Sequence, residues 1–298
     1  MTFADLKRKS QTNFQFLQKE LEKSSNAKAG ADERLWRPEL DATGNGYAVI
    51  RFLPAPDGES LPWAKLYAHA FQGPGGWFIE NSLTTLGQND PVSAANNQLW
   101  NSGVESDKDI ARQRKRKLSY YSNIYVVSDP KHPENEGKVF LYKYGKKIHD
   151  KILAAMQPEF QDETPINVFD FWEGANFKLK IRQVEGFRNY DKSEFDAVTA
   201  ISDDDAGIEA IWNQQHSLQE KVGEGEFKTY EELKSKLDMV LSGGAKVATA
   251  EQISQTTGDA EDDQFMDKVK SVQASSKTID DDSSEDDTLS YFKSLADE

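Results

Sequence analysis

The stretch Ser119–Val127 reads SYYSNIYVV, and aromatic and β-branched residues are concentrated along its alternating pattern. This pattern is typical of a β-strand rather than a helix. Pro130 and Pro133 follow and end the strand, because proline cannot donate a ladder hydrogen bond. On both sides of this stretch, the same signals predict strands at Tyr47–Leu53, Trp63–Phe71, Trp77–Glu80, Lys138–Tyr144 and Asn176–Val184.

Helical spacing is confined to short segments. Apolar residues recur at helical intervals in 12–23 and 146–156, and two further helices are predicted near 204–220 and 227–241. Residues 81–104 have little periodicity and are interpreted as an excursion from the sheet. Several short strands with a helix inserted late predict a mainly β fold with α insertions, built on a five-stranded OB-fold barrel.

Cationic and aromatic residues are concentrated around the Ser119–Val127 strand. This combination suits a single-stranded nucleic acid, because cations neutralise phosphates and unpaired bases stack on rings at roughly 1–3 kcal/mol each. The candidate contacts are Arg112, Arg114, Lys115, Arg116, Lys117, Tyr120, Tyr121, Tyr142, Lys143, Tyr144, Lys146 and Lys147. A second outward row is predicted at Lys178, Lys180 and Arg182, followed by Phe187 and Tyr190.

Each of these signals also has a simpler interpretation. A run of charges is as often a solvated loop as a binding site. Tyrosines in an alternating strand are more often core residues than platforms for bases. The coincidence of the two signals favours nucleic-acid binding, because the outward face of a strand can offer rings and cations together.

Composition limits the class of protein. The chain has 298 residues, a formal net charge of −15 and no cysteine, which excludes disulfides and thiolate metal sites. No apolar run approaches the ~20 residues of a membrane span, and 1–9 lacks the apolar stretch of a secretory signal. A soluble intracellular protein is therefore expected. The acidity is concentrated in 259–298, with 13 acidic residues against 4 basic ones, and disorder is predicted beyond Ser242.

No assembled active site is found in the sequence. The four histidines are far apart and lack metal-ligand spacing. The Gly145-Lys146 pair lacks the spacing of a phosphate-binding loop and is not followed by Ser or Thr. The sequence therefore predicts a protein without enzymatic activity, catalytic residues or a cofactor.

Four long stretches carry a resemblance to a known family. They are LDATGNGYAVIRFLP at 40–54, KLSYYSNIYVV at 117–127, HPENEGKVFLYKYGKKI at 132–148 and WEGANFKLKIRQVEGFRNY at 172–190. The chain resembles the single-stranded DNA-binding proteins of T-even-type tailed bacteriophages over nearly its whole length. That family acts in DNA replication, recombination and repair. The resemblance implies DNA contacts at the Arg112–Lys117 loop, Tyr120, Tyr142, Tyr144, Phe187 and Tyr190.

The resemblance also implies a division of the chain into three parts. Residues 1–22 would be an N-terminal arm for cooperative self-assembly, 23–241 the DNA-binding core, and 242–298 a linker and acidic partner-binding tail. The self-assembly motif would be Lys7, Arg8, Lys9 and Ser10. The partner-binding residues of the tail would be Asp280, Asp281, Asp282, Glu285, Asp286, Asp287, Leu289, Tyr291, Phe292 and Leu295. The implied partners are single-stranded DNA, further copies of the chain, and phage proteins such as polymerase, helicase loader and recombination mediator, in the cytoplasm of the infected bacterial host.

The main departure from the family concerns zinc. Members of the family hold a structural zinc ion through one histidine and three cysteines. Here His69 matches the histidine, but Ser82, Asp90 and Ser93 stand where the cysteines would be. Serine is a poor zinc ligand, and one His with one Asp cannot close a tetrahedral site, so no metal is predicted. The 81–104 insertion would then be held by the packing of Leu83, Leu86, Leu99 and Trp100.

Two alternative functions stay open at this point. A single-stranded RNA-binding or translational-control protein could use the same groove, because stacking and phosphate contacts do not read the 2′-OH. An acidic scaffold that recruits partners and binds no nucleic acid is the second alternative.

Overall fold

A computed structural model describes residues 32–160, 162–184 and 187–242 of the chain. The predicted arm, its motif at 7–10, the helix predicted at 12–23 and the acidic tail lie outside these residues. Within the described ranges, we find no helix with the length and apolar character that crossing a membrane requires.

One mixed sheet forms the centre of the described protein. Its strands are β1 (Leu35–Trp36), β2 (Gly46–Phe52), β3 (Ala64–Gly73), β4 (Gly76–Asn81), β5 (Lys117–Ser128), β6 (Val139–Gly145), β7 (Ala175–Val184), β8 (Phe187–Asn189) and β9 (Glu194–Val198). The main path runs β1-β6-β5-β2-β7-β8, while β3 pairs with β5 and β4, and β9 pairs with β7. Among the described strands, β1 and β6 are parallel and the other pairs are antiparallel.

Five α-helices accompany the sheet in the described ranges. They are α1 (Pro91–Asn101), α2 (Glu105–Gln113), α3 (Lys146–Met156), α4 (Asp205–Trp212) and α5 (Tyr230–Ser242). The predicted helix at 146–156 and the five predicted strands around Ser119–Val127 are confirmed within a few residues. The helix predicted near 204–220 is wrong beyond Trp212, where the chain turns and forms only a short 3-10 segment at Gln219–Lys221.

The strand pairings of the described residues form a branched, open arrangement in which no pairing closes a ring. The nine strands and five helices of the described residues make the fold class a mixed sheet with helices. The five-stranded OB-fold barrel stays a prediction.

The 81–104 insertion is more regular than its sequence suggests. Helix α1 begins after Asp90, whose carboxylate accepts hydrogen bonds from the backbone N–H groups of Val92 and Ser93, and Pro91 occupies the first helical position. This Asp-Pro pair is a typical helix start, and the Asn-rich composition that follows obscured it. Leu83 and Leu86 pack into one apolar cluster, and Leu99 and Trp100 pack on Ala111 of α2, so the predicted packing is confirmed.

The predicted loop at Arg112–Lys117 is shorter than expected. Arg112 lies in the last turn of α2, and Lys117 is the first residue of β5. Only Arg114–Arg116 connect the two elements. We call the whole run Arg112–Lys117 the basic segment.

The β3–β4 hairpin is covered by α5, and glycine makes the close approach possible. The Gly75 N–H donates to the Val240 carbonyl oxygen at 2.7 Å. A Cβ on Gly75 would lie 2.3 Å from the Met239 carbonyl oxygen, so no larger residue fits without movement. Phe71 and Phe78 of the hairpin pack with Leu233 and Leu237 of the helix. The hairpin and the insertion therefore share a second core beside the main one.

Candidate nucleic-acid interface

The strand register gathers two groups of cations at one end of the sheet. In the β5–β6 pair Ser119 lies opposite Gly145, and Tyr120 lies opposite Tyr144. The start of β5, where the basic segment ends, is therefore beside the end of β6. Helix α3 begins there with Lys146 and Lys147. We call this region, formed by the basic segment, Lys143, Lys146 and Lys147, the cationic end of the sheet.

Arginines of the basic segment are held against the rings of neighbouring elements. The guanidinium of Arg114 lies 5.5 Å from the ring centroid of Phe71, and that of Arg116 lies 4.2 Å from the centroid of Tyr67. Burial lowers the pKa of Arg114 from its ordinary value, and an arginine remains charged despite such a shift. These cation–π contacts fix the direction of both side chains.

The guanidinium of Arg112 is surrounded by carboxylates of its own helix. Its guanidinium donates to Glu105 at 3.0 Å and also to Asp109. It lies 5.4 Å from the ring centroid of Trp100. Arg112 therefore contributes less positive potential to the cationic end than its charge suggests.

The tyrosines predicted as contacts are buried, so their predicted outward direction is wrong. Tyr120, Tyr142, Tyr144 and Tyr190 belong to the main core, and Tyr121 belongs to a cluster on the other side of β5. Tyr144 is only 3% exposed, and its ring centroid is 5.6 Å from those of Tyr120 and Tyr142. The sheet is covered on both sides here, so alternation along β5 does not produce a solvent face.

Hydrogen bonding explains how a tyrosine hydroxyl is accommodated in this core. Ser122 donates to the Pro62 carbonyl oxygen at 2.8 Å, so the Tyr144 hydroxyl donates to Ser122 Oγ, which lies 3.0 Å away. Burial raises the pKa of Tyr144 above its ordinary value, and the hydroxyl stays protonated. His149 of α3 stacks on the Tyr120 ring at 3.8 Å, and burial lowers the pKa of this imidazole.

The remaining predicted residues lie around the same end or on β8. Lys143 is half-buried, with its Nζ 5.9 Å from the Tyr121 ring centroid, whereas Lys146 and Lys147 are exposed. Lys146 forms an ion pair with Asp150 at 2.9 Å. Phe187 is half-buried on β8, away from the β5–β6 pair in strand order.

The second basic row points outward as predicted, but carboxylates accompany it. Phe177, Leu179 and Ile181 of β7 face the core, and the intervening cations face a row of acids. The pairs are Lys178 with Asp196 at 2.7 Å, Lys180 with Glu194 at 2.7 Å, and Arg182 Nε with Asp191 Oδ1 at 2.9 Å. This β7 ladder is close to neutral and offers little net attraction for phosphate.

We therefore expect the β7 ladder to contribute little to DNA binding. Replacing Lys178, Lys180 and Arg182 together with alanine should change the affinity for oligo-dT by less than about threefold, because exposed ion pairs contribute weakly. Fluorescence titration at several salt concentrations measures this effect. If this variant lost as much affinity as a variant with the cations of the basic segment replaced by alanine, the β7 ladder could not be a neutral surface.

An apolar cleft with an exposed ring was not anticipated from the sequence. It has a volume of about 380 Å³ and is lined by Pro54, Pro62, Trp63, Phe169 and Trp172 among others. Trp172 is 56% exposed. In the sequence, Trp172 is notable only as the first residue of the 172–190 stretch. That position does not show whether its ring is exposed or belongs to the core.

Buried Arg51 is bonded to Asp170, one of the residues that line this cleft. Its guanidinium is shielded from solvent and donates to the carbonyl oxygens of Asp170 at 3.0 Å and Thr199 at 2.7 Å. Burial lowers the pKa of Arg51 to about 10, which leaves it charged at neutral pH. The side chain thus ties two loops to strand β2.

The residues at the zinc positions come together but do not fit zinc. Asp90 Oδ2 accepts from Ser82 Oγ at 2.9 Å, Asp90 Oδ1 accepts from the Ser93 N–H at 3.0 Å, and His69 Nε2 is 3.2 Å from Oδ1. The carboxylate is thus already engaged by hydrogen-bond donors. Two hydroxyls cannot replace thiolates as ligands. Within the described ranges, no group of three or more His, Cys, Asp or Glu could hold a metal ion.

The purified protein is expected to contain no stoichiometric zinc. Its melting temperature should not change with a chelator, because the insertion is held by hydrogen bonds and packing. Elemental analysis and thermal melts with and without EDTA measure both properties. One tightly held zinc ion per chain would contradict this prediction.

The fold and the cationic end define a class: proteins built on a mixed sheet with helices that gather cations at one end of that sheet. Residues 44–241 match the family model described as gp32 DNA binding protein like. A single-stranded DNA-binding protein of Enterobacteria phage T2 is 40% identical over 260 residues, covering 85% of this chain and 86% of the relative. One from Enterobacteria phage T4 is 41% identical over 235 residues, covering 76% and 78%. The chain belongs to the gp32-like family of DNA-binding proteins, and the resemblance inferred from its motifs is confirmed.

Proposed function

We propose that this chain binds single-stranded DNA cooperatively and with little sequence preference, as a non-enzymatic protein of phage DNA replication, recombination and repair. The names of its relatives support DNA as the ligand. Bound along a strand, the protein would protect single-stranded DNA and remove its secondary structure.

The observation that carries this proposal is the gathering of cations by the β5–β6 register. Lys115, Arg116 and Lys117 enter β5 at the end of the sheet where Lys146 and Lys147 begin α3. A row of cations drawn from two elements can follow several successive phosphates. Neutralising them releases counterions, which supplies a sequence-independent part of the binding free energy.

The start of α3 strengthens the attraction for phosphate. Gly145 precedes the helix and has no side chain to cap it, and the first turn of α3 contains no acidic residue. Backbone N–H groups and the helix dipole at such a terminus favour an anion. Two lysines at a helix N-terminus are unfavourable for the helix alone, so their placement is consistent with an anionic ligand.

Base stacking needs rings that a base can reach. Phe187 has exposed surface and Trp172 is more than half exposed, whereas the predicted tyrosine platforms are covered. Stacking on Tyr120, Tyr142, Tyr144 and Tyr190 therefore remains a prediction that requires movement of the core around them. Phosphate contacts at the cationic end do not require that movement.

The terminal segments complete the proposal. We assign cooperative self-assembly to 1–22, with the motif at 7–10 contacting a neighbouring copy, and recruitment of replication proteins to the acidic tail in 242–298. Polymerase, helicase loader and recombination mediator are the proposed partners, in the cytoplasm of the infected bacterium. Residues 1–22 and 243–298 lie outside the described residues, so their assignment rests on sequence composition and on the family.

Titration of intrinsic tryptophan and tyrosine fluorescence tests the proposed function. Oligo-dT should change the emission of the full chain with an affinity that falls as salt rises, and duplex DNA of the same length should bind more weakly. Oligo-U is titrated in parallel at the same salt. Tighter binding of oligo-U would favour the RNA-binding alternative, and no response to either oligomer would favour the acidic scaffold.

A further inference from the structure

A buried polar cluster connects the insertion to the basic segment. His69 lies on β3 and is 1% exposed, Asp90 caps α1, and Asn96 lies in α1 with no exposed surface. Polar groups this deeply buried need hydrogen-bond partners to avoid a desolvation penalty. Their partners therefore show what the cluster holds in place.

The common target of this cluster is the carbonyl oxygen of Arg114. His69 Nδ1 lies 3.0 Å from this oxygen, and Asn96 Nδ2 donates to it at 3.1 Å. A carbonyl oxygen only accepts, so the Nδ1 atom of His69 carries a proton. One backbone atom in the middle of the basic segment thus receives two donors from two different elements.

Asp90 contacts both of the elements that supply the donors. His69 Nε2 is 3.2 Å from its carboxylate, and the same carboxylate caps the helix that carries Asn96. Burial opposes ionisation of Asp90, but its contact with His69, together with bonds from Ser93 and Ser82, lowers its pKa to about 2. The Asp90 carboxylate therefore lies beside the imidazole that faces Arg114, and it starts α1 at the same time.

We propose that His69, Asp90 and Asn96 form a metal-free clamp that fixes the backbone of Arg114 and so positions the basic segment for phosphate. Two of its residues, His69 and Asp90, stand at positions where the resemblance implies zinc ligands, and here they form hydrogen bonds to the backbone. Because Arg114 lies where α2 passes into β5, fixing its carbonyl fixes the path of Lys115–Lys117. This inference rests on the proposed function.

A substitution with a matched control tests the clamp. Asn96→Ala removes one donor to Arg114, whereas Val92→Ala removes apolar contacts from the same helix and leaves both donors intact. The two variants are compared under conditions in which both are folded to the same extent. Asn96→Ala should then weaken oligo-dT binding at least fivefold, whereas the affinity of Val92→Ala should stay within twofold of the parent. Amide hydrogen exchange of 115–117 should be faster only in Asn96→Ala.

An isosteric pair at position 69 provides a second readout. The amide of His69→Asn can occupy the region of Nδ1 and still donate to Arg114, whereas that of His69→Gln reaches towards Nε2 and Asp90. His69→Asn should therefore bind oligo-dT more tightly than His69→Gln. Destabilisation alone would weaken both variants alike.

The outcomes separate the clamp from the proposed function. If the parent binds oligo-dT while Asn96→Ala and His69→Gln match Val92→Ala in affinity and exchange, the clamp is wrong and the function stands. If the parent does not bind oligo-dT, the proposed function is wrong, and with it the role of the clamp in binding. Faster exchange in Asn96→Ala would then support the anchoring of Arg114 alone.

Discussion

Replacing Lys115, Arg116 and Lys117 together with alanine should weaken binding of the full chain to oligo-dT by about a hundredfold at low salt. These residues lie at the cationic end of the sheet, beside the lysines that begin α3. Each phosphate contact on a single strand contributes about −0.7 to the slope of log K against log salt. Loss of three contacts should therefore make the slope shallower by about 2, which titration at several salt concentrations measures.

The β7 ladder provides a control with the same change in net charge. Alanine at Lys178, Lys180 and Arg182 also removes three cations, but each of these is paired with a carboxylate. A general effect of net charge would weaken both triple variants alike. Equal affinities and equal salt slopes for the two variants would contradict the assignment of the interface to the cationic end.

Tyr144→Ala should destabilise the fold by about 3–5 kcal/mol, because it removes a large ring from a packed core. The ring packs against Phe52, Tyr120 and Tyr142. Tyr144→Phe should cost only about 1 kcal/mol, because it loses the donor to Ser122 while Ser122 keeps its bond to Pro62. Urea unfolding of both variants measures these differences.

Phe187 is the control for Tyr144, because it is also an aromatic residue but is only half-buried, on β8. Phe187→Ala should change stability less than Tyr144→Ala, and it should lose about 1–3 kcal/mol of binding if a base stacks there. Affinity of Tyr144→Ala should fall only as far as its folded fraction falls. A loss of affinity by Tyr144→Ala larger than its folded fraction accounts for would show that the Tyr144 ring contacts DNA directly.

The local sequence pattern predicted the positions of most strands, but it did not predict which faces of the sheet are exposed. The strands around Ser119–Val127 and the helix at 146–156 follow from propensity and periodicity. Whether Tyr120 or Tyr121 is exposed depends on what covers each face, and both faces of β5 are covered by distant segments. Alternation identifies two faces and cannot show that one of them is solvated.

The sequence also could not predict which side chains form ion pairs and hydrogen bonds with each other. Lys178, Lys180 and Arg182 were correctly predicted to point outward, but their acids come from 191–196, across a turn whose register the pattern did not fix. Helix α1 was missed because its signal is a single capping pair, Asp90-Pro91. The connection from His69 and Asn96 to Arg114 joins distant positions and needed the tertiary structure.

Photo-cross-linking reports which residues of the complete chain contact the strand, and so shows whether DNA binds at the cationic end. Oligo-dT carrying a photoreactive thymine analogue is bound at low salt and irradiated, and the attached peptides are identified by mass spectrometry. We predict cross-links within 112–121 and 143–149, on both sides of the β5–β6 register. Cross-links confined to 175–198, on the face of the β7 ladder, would show that DNA does not bind at the cationic end.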